Sequence, residues 1–107
     1  MRRASAAAAA VLAAAALACK RAPPPRSYAV SIKNFAVQPA TLVVSMGDTV
    51  VWTNGDFVPH TATARDSAWD SKSIDANGTY RWVARAPGKH TYICVFHPNM
   101  QGTIDVR

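Results

Sequence analysis

The sequence predicts an all-β protein, and three observations carry that reading. From Tyr28 onward, apolar residues recur at period two in short runs. Turn-forming residues punctuate those runs at regular intervals. Beyond residue 18 no stretch shows the three-and-four spacing of a helix that buries one face. Short strands so spaced, in a chain with room for one core, close into a β-sandwich.

Each run has its own signal. Tyr28, Val30 and Ile32 alternate with Ala29, Ser31 and Lys33, which gives the first strand one apolar face. Thr41 to Ser45 is a second run, closed by the Gly47-Asp48 turn. Thr49 to Asn54 follows, with Val50 and Trp52 on one face. Asn77-Gly78 is a strong turn signal, and Tyr80 and Trp82 share a face of the run Thr79 to Ala84. Pro87-Gly88 turns the chain into His90 to Val95, and Gly102 opens a last run through Val106. Residues 55–76 are less regular and read as loops around one or two short edge strands. A sandwich of about 80 residues buries only roughly 60–65% of its unfolded surface, so modest stability is expected of it. Trp52, Trp82 and Phe35 are the expected core anchors.

The first stretch lies outside that core. Met1-Arg2-Arg3 is a positive start, and residues 4–18 are almost all alanine, with Val11, Leu12 and Leu17. The run is shorter than the roughly 20 apolar residues of a membrane-spanning helix, and it ends in small residues. It reads as an export signal over 1–18. Ala16-Leu17-Ala18 satisfies the small-x-small rule for ordinary cleavage. Leu17-Ala18 before Cys19 is also similar to a bacterial lipoprotein box, in which the cysteine is lipidated and becomes the mature N-terminus. An otherwise unexplained cysteine at the cleavage point favours lipidation and an anchored, periplasmic domain. Residues 19–27 form a proline-rich tether, and 28–107 the folded domain.

The charge follows the same division. The chain carries +6, but residues 28–107 hold seven basic residues against six aspartates, a net +1. Nucleic-acid binding needs a basic face on the folded part, and none is expected. A near-neutral domain also gives no field from which to infer the charge of a protein partner.

The chemistry concentrates in Cys94-Val95-Phe96-His97-Pro98-Asn99-Met100, read as the turn between the last two strands. With Cys19 set aside, Cys94 has no disulfide partner within the chain. A lone thiol in an exported protein faces oxidation unless it is buried or occupied. An imidazole lies three residues on and a thioether three further. Thiolate, imidazole and thioether together suit copper, above all copper that alternates between Cu(I) and Cu(II). A second imidazole completes the set, and His60, after Pro59 in the loop beyond the Trp52 strand, is the natural supplier. Singly, a buried cysteine, a methionine or a loop histidine is usually packing or solvated surface; their conjunction points to a metal site. His90, on the Tyr92 and Cys94 side of its strand, reads as a packing or hydrogen-bonding residue and not a ligand.

These segments resemble a known family. Gly47-Asp48-Thr49-Val50-Val51-Trp52-Thr53-Asn54, Pro59-His60-Thr61, and Pro87 through Cys94 to Gly102 look like the blue-copper cupredoxins, with plastocyanins, pseudoazurins and amicyanins as the nearest groups. The two-residue gap between His97 and Met100 is similar to amicyanin. The resemblance covers about residues 30–107 and implies an eight-stranded Greek-key sandwich with copper near one end. It implies His60, Cys94 and His97 as strong equatorial ligands and Met100 as the long axial one. Two departures stand out. Thr61 occupies a position where many members have an asparagine that ties the ligand loops, which predicts a weaker tie, although its backbone N–H can still reach the Cys94 sulfur. His90 stands where relatives usually carry an aromatic residue.

The resemblance implies a single-electron carrier, monomeric and not an enzyme, that exchanges electrons with redox proteins such as a cytochrome, oxidase or dehydrogenase. They would dock near His97, with Pro59 and Pro98 in the surrounding apolar patch, and Phe96 and Pro98 are expected to exclude water. The alternative is a periplasmic copper-handling protein, which more often shows open clusters of methionine or histidine. A Cys94–His97 nucleophile and base would lack a third orienting group.

Overall fold

The computed structural model describes residues 22–107. The expected export signal over 1–18, the expected lipidation site Cys19 and the first part of the expected tether lie outside these residues. Eight strands form: β1 (Ser27–Lys33), β2 (Ala36–Gln38), β3 (Thr41–Val44), β4 (Thr49–Asn54), β5 (Thr63–Ala64), β6 (Thr79–Val83), β7 (Gly88–Cys94) and β8 (His97–Val106). They build two four-stranded sheets, ordered β2-β1-β4-β6 and β3-β8-β7-β5. Parallel pairs β1–β4 and β3–β8 sit beside antiparallel neighbours in each sheet. This is the all-β sandwich that the alternating sequence predicts. Among the described residues there is no helix long and apolar enough to cross a membrane.

The alternation seals the two sheets together. Val30 and Ile32 of β1 and Val50 and Trp52 of β4 face Tyr92 of β7 and Ile104 of β8, all buried. Trp52 is the keystone, with ring centroids 5.4 Å from Tyr92, 5.6 Å from Trp69 and 5.9 Å from Tyr80. Trp69 comes from the irregular stretch after β5 and is itself buried. Trp82, expected as an anchor, is half-buried at the margin of this cluster, 4.2 Å from Trp69. Burial pushes the Tyr92 hydroxyl up to about 12, so it stays neutral across the physiological range.

Phe35 corrects the expected core. It is 50% exposed. Asn34 and Phe35 are the two central residues of the turn joining β1 to β2, with φ of 53° and 60°. Positive φ at both positions is the two-residue hairpin geometry that matches strand twist, and it carries the ring out of the sandwich. β2 itself escaped the sequence reading, because three residues with only Val37 buried leave no alternation to see.

The last hairpin also differs from expectation. Only Val95 and Phe96 form the turn, and β8 already begins at His97. Gly102 is interior to β8, directly opposite Tyr92. The reason is close approach: a Cβ at Gly102 would fall 2.3 Å from Tyr92 Cζ, so glycine here makes room for a ring.

The residue before β1, Arg26, is fastened where the strand begins. Asp48 Oδ1 accepts the Arg26 N–H at 2.8 Å and Oδ2 accepts the Ser45 N–H at 2.8 Å, while Thr49 N–H donates to Arg26 O. Those two backbone donors, Arg26 first, hold the Asp48 carboxyl below the usual carboxylate range. A folded pKa below the unfolded value of about 3.9 means stability that is complete above that pH and lost as pH falls through the folded value. Asp48→Asn should therefore flatten the acid limb of a melting-temperature profile between about pH 5 and 2, with little change in its shape near neutrality. An acid limb identical to that of the parent denies Asp48 this role.

Candidate metal centre

β4 runs from the tether end of the sandwich toward the opposite end, and the site forms where it stops. Asn54 is buried at its last position. Its Nδ2 donates to Val58 O and Ile74 O, and its Oδ1 accepts the Asp56 N–H, winding the following loop tightly. His60 emerges from that loop. Its main chain exchanges two hydrogen bonds with Ile74, so the ring is fixed from the backbone outward. Cys94 closes β7, and a register shift follows Ile93. Ile93 pairs with Gln101 but Cys94 pairs with His97, which leaves Pro98, Asn99 and Met100 as a bulge in β8. Period-two alternation breaks there, and the break lets His97 and Met100 serve the same end of the sandwich.

Three donors converge. Cys94 Sγ lies 3.6 Å from His60 Nδ1 and 3.7 Å from His97 Nδ1, and all three atoms fall within 4.8 Å of one another. His60 and Cys94 are buried and His97 is half-buried, while Met100 is buried in the adjoining bulge. The second nitrogen of His60, Nε2, is 2.9 Å from Asp56 Oδ2. The Phe35 N–H, then His60 and the Asn34 N–H, hold the Asp56 carboxyl below its ordinary range. An ionised Asp56 accepts from Nε2–H, which leaves the Nδ1 lone pair free and aimed at the cluster. The Thr61 N–H points at Cys94 Sγ from 3.3 Å, the placement that favours a thiolate.

The spacing fits a shared ion. Bonds of about 2.0–2.1 Å to nitrogen and about 2.3 Å to sulfur, as zinc makes, place such donors roughly 3.6–3.8 Å apart between tetrahedral and trigonal angles. Two imidazoles, a thiolate and a nearby thioether are the donor types of a blue-copper centre.

Comparison with known proteins decides the family. Residues 5–106 match the cupredoxin-like domain family. Amicyanin-alpha of Methylorubrum extorquens is 32% identical over 88 residues, covering 78% of this chain and 74% of that protein. The chain is a cupredoxin. Among solved structures, a purple cupredoxin from Nitrosopumilus maritimus superposes with a TM-score of 0.70 at 26% identity, covering 75% of this chain and 99% of that one. A reduced amicyanin variant superposes with a TM-score of 0.69 at 26% identity, over 84% and 89% of the two chains. The ion that this family binds, and that the donor set suits, is copper.

In this cupredoxin Thr61 ties the ligand loops in its own way. Its Oγ1 accepts the Val95 N–H at 2.9 Å and the Thr63 hydroxyl at 2.9 Å, so a hydroxyl joins the two loops. His90 stands outside the donor cluster. Its ring nitrogens face Asp66 Oδ2 and Ala86 O, and its edge meets Trp69 and Trp82. The Ala68 N–H first, and His90 second, hold the Asp66 carboxyl low. Two residues at the site escaped the sequence reading. Asp56 gave no signal, since one aspartate in a polar loop looks like any other. Phe35 followed by a β-like run looked like core, and only its left-handed backbone takes it to the histidines.

Proposed function

We propose that this cupredoxin is a single-electron carrier that holds one copper ion through His60 Nδ1, Cys94 Sγ and His97 Nδ1, with Met100 as a weaker fourth ligand. The convergence of the three donors at 3.6–3.7 Å supports this reading more than any other observation. Copper held there supplies one-electron chemistry with little change of geometry between Cu(I) and Cu(II). The protein's part is to keep the donors still. His60 is pinned by Ile74 and Asp56, Cys94 by the Thr61 N–H, and the hairpin by Thr61 Oγ1 to Val95.

His97 is the port for the electron. Of the three convergent donors it alone is not fully buried. Exposed apolar residues gather at this end. Phe35, half exposed, meets His97 edge-on and lines one pocket with Phe57, which is 98% exposed, and Val58, with Pro59 exposed next in the chain. Exposed Phe96 and Pro98 flank His97 in sequence. Such a patch suits brief docking of a redox protein, a cytochrome, oxidase or dehydrogenase, without a demand for charge pairing. No substrate turnover is assigned to the chain. Amicyanin as a relative supports work outside the cytoplasm. The sequence pattern supports 1–18 as export signal, 19–27 as tether with Cys19 as lipid anchor, and 28–107 as the folded domain, which we take to be monomeric.

Loaded with one equivalent of Cu(II), the protein should bleach with a mild reductant and recover its colour on reoxidation over repeated cycles. Copper that leaves to a chelator on reduction and cannot be reoxidised in place supports copper handling and overturns the carrier.

A further inference from the structure

One carboxylate joins the ligand loop to a strained turn of the opposite hairpin. Asp56 Oδ1 accepts the Asn34 N–H at 2.7 Å, and Oδ2 accepts the Phe35 N–H at 2.9 Å. The same Oδ2 takes His60 Nε2 at 2.9 Å. Backbone donors of a two-residue turn normally face water, so a carboxylate from more than twenty residues away is a dedicated clamp. The turn it grips is an unfavourable one. Asn tolerates positive φ well, but Phe35 at 60° is a bulky residue in the left-handed region, where Gly is usual. Such a residue persists there only where surrounding contacts enforce it.

What the strain achieves is the position of one ring. The Phe35 ring meets His60 edge-on with centroids 5.1 Å apart and an interplanar angle of 90°. It meets His97 at 4.9 Å and 84°. The two histidines themselves are 5.1 Å apart. Phe35 therefore closes a triangle over both imidazoles, on the side where the donor cluster would otherwise meet solvent. Gly would relieve the backbone and remove the cover; Phe accepts the strain and keeps it.

We propose that Asp56 is a positioning residue that serves the metal site twice, by setting the His60 tautomer and by clamping the Asn34–Phe35 turn so that Phe35 roofs both ligand histidines. The inference rests on His60 and His97 being copper ligands. Its physical consequence is coupling: the roof holds only while the clamp holds. Asp56→Asn keeps the size of the side chain but offers one acceptor oxygen where three donors converge. That oxygen can take at most two of the three, so at least one donor of the turn or His60 is left facing the amide NH2. The roof loosens, water reaches the histidine edges, and bound copper is lost faster. An outer-shell partner of this kind typically costs 10- to 100-fold in metal affinity.

The test is a double-mutant cycle on Asp56→Asn and Phe35→Gly, read as the rate at which a chelator strips copper. Each single change should raise that rate about 10-fold or more. The double variant should exceed Asp56→Asn by less than about 2-fold, because a roof already released cannot be removed again. Phe35→Tyr, which keeps the ring, should restore the parent rate. Phe35→Gly should also leave the metal-free melting temperature unchanged or raised, since Gly fits the backbone. That result separates loss of cover from loss of fold. Multiplied single effects in the double variant, or a parent-like rate in Phe35→Gly, overturn the proposal.

A second readout needs no copper. In the metal-free protein the Asn34 and Phe35 amides should be protected from hydrogen exchange, and Asp56→Asn should accelerate both at least about 10-fold while β4 amides hold. Unchanged exchange overturns the clamp even if copper binds as proposed. Accelerated exchange in a protein that binds no copper would leave the clamp standing and count against the ligand assignment.

Discussion

Trp52→Ala is expected to remove about 3–5 kcal/mol of folding stability, the range for truncating a buried tryptophan. Trp52 is fully buried, and its ring touches aromatic partners from β6, β7 and the loop after β5. It therefore holds both sheets and the least regular segment together. A domain of about 80 residues has roughly 4–12 kcal/mol to lose, so the metal-free variant should be near its unfolding threshold at 25 °C. With each kcal/mol worth about 4–8 °C, the midpoint should fall by more than 12 °C. Copper at a hundredfold excess over its dissociation constant returns about 2.7 kcal/mol, and loaded Trp52→Ala should recover part of the loss. A metal-free decrease below about 1 kcal/mol would show that Trp52 is not the keystone of this core.

Cys94→Ser should do the reverse, sparing the fold and destroying the site. The side chain is nearly isosteric, and the Thr61 N–H that faces sulfur at 3.3 Å can donate to a hydroxyl. The metal-free melting point should therefore change by no more than the equivalent of about 1.5 kcal/mol. Copper chemistry should change far more. A neutral hydroxyl replaces a soft thiolate, and the thiolate is both the strongest donor and the source of colour in such a set. The loss in affinity should exceed the roughly 10- to 100-fold cost of losing an outer partner, and the visible band should vanish. Parent-like colour in Cys94→Ser would exclude Cys94 as a ligand. A collapse of the metal-free fold would instead make Cys94 mainly a packing residue, like its buried β7 neighbours His90 and Tyr92.

The contrast between these two residues shows what the sequence makes legible. Trp52 stands in a strand whose alternation with Val50 survives intact, so its burial follows from period two. Trp69 has no such frame. It is held by a loop whose only regular pairings are the short β5 and isolated bridges, and its burial depends on packing from β4 and β6. At the site, Cys94, His97 and Met100 announce themselves by chemistry, because thiol, imidazole and thioether rarely gather without a soft metal to share. The bulge that brings them round does not, since it is visible only as a register jump between Ile93 and Cys94. Phe35 misled for a local reason. An aromatic between Asn34 and Ala36 looks like core, and its left-handed φ is set by Asp56, a partner twenty-one positions away. Partnerships across the fold are what one-dimensional patterns miss.

The assignment of one copper ion to His60, Cys94, His97 and Met100 is tested most directly by titrating the metal-free protein with Cu(II) while recording its visible absorption. The expected result is an intense blue to purple sulfur-to-copper band that rises to saturation at one equivalent and bleaches fully on one-electron reduction. A colourless complex, saturation away from one equivalent, or irreversible oxidation of the Cys94 thiol would contradict it.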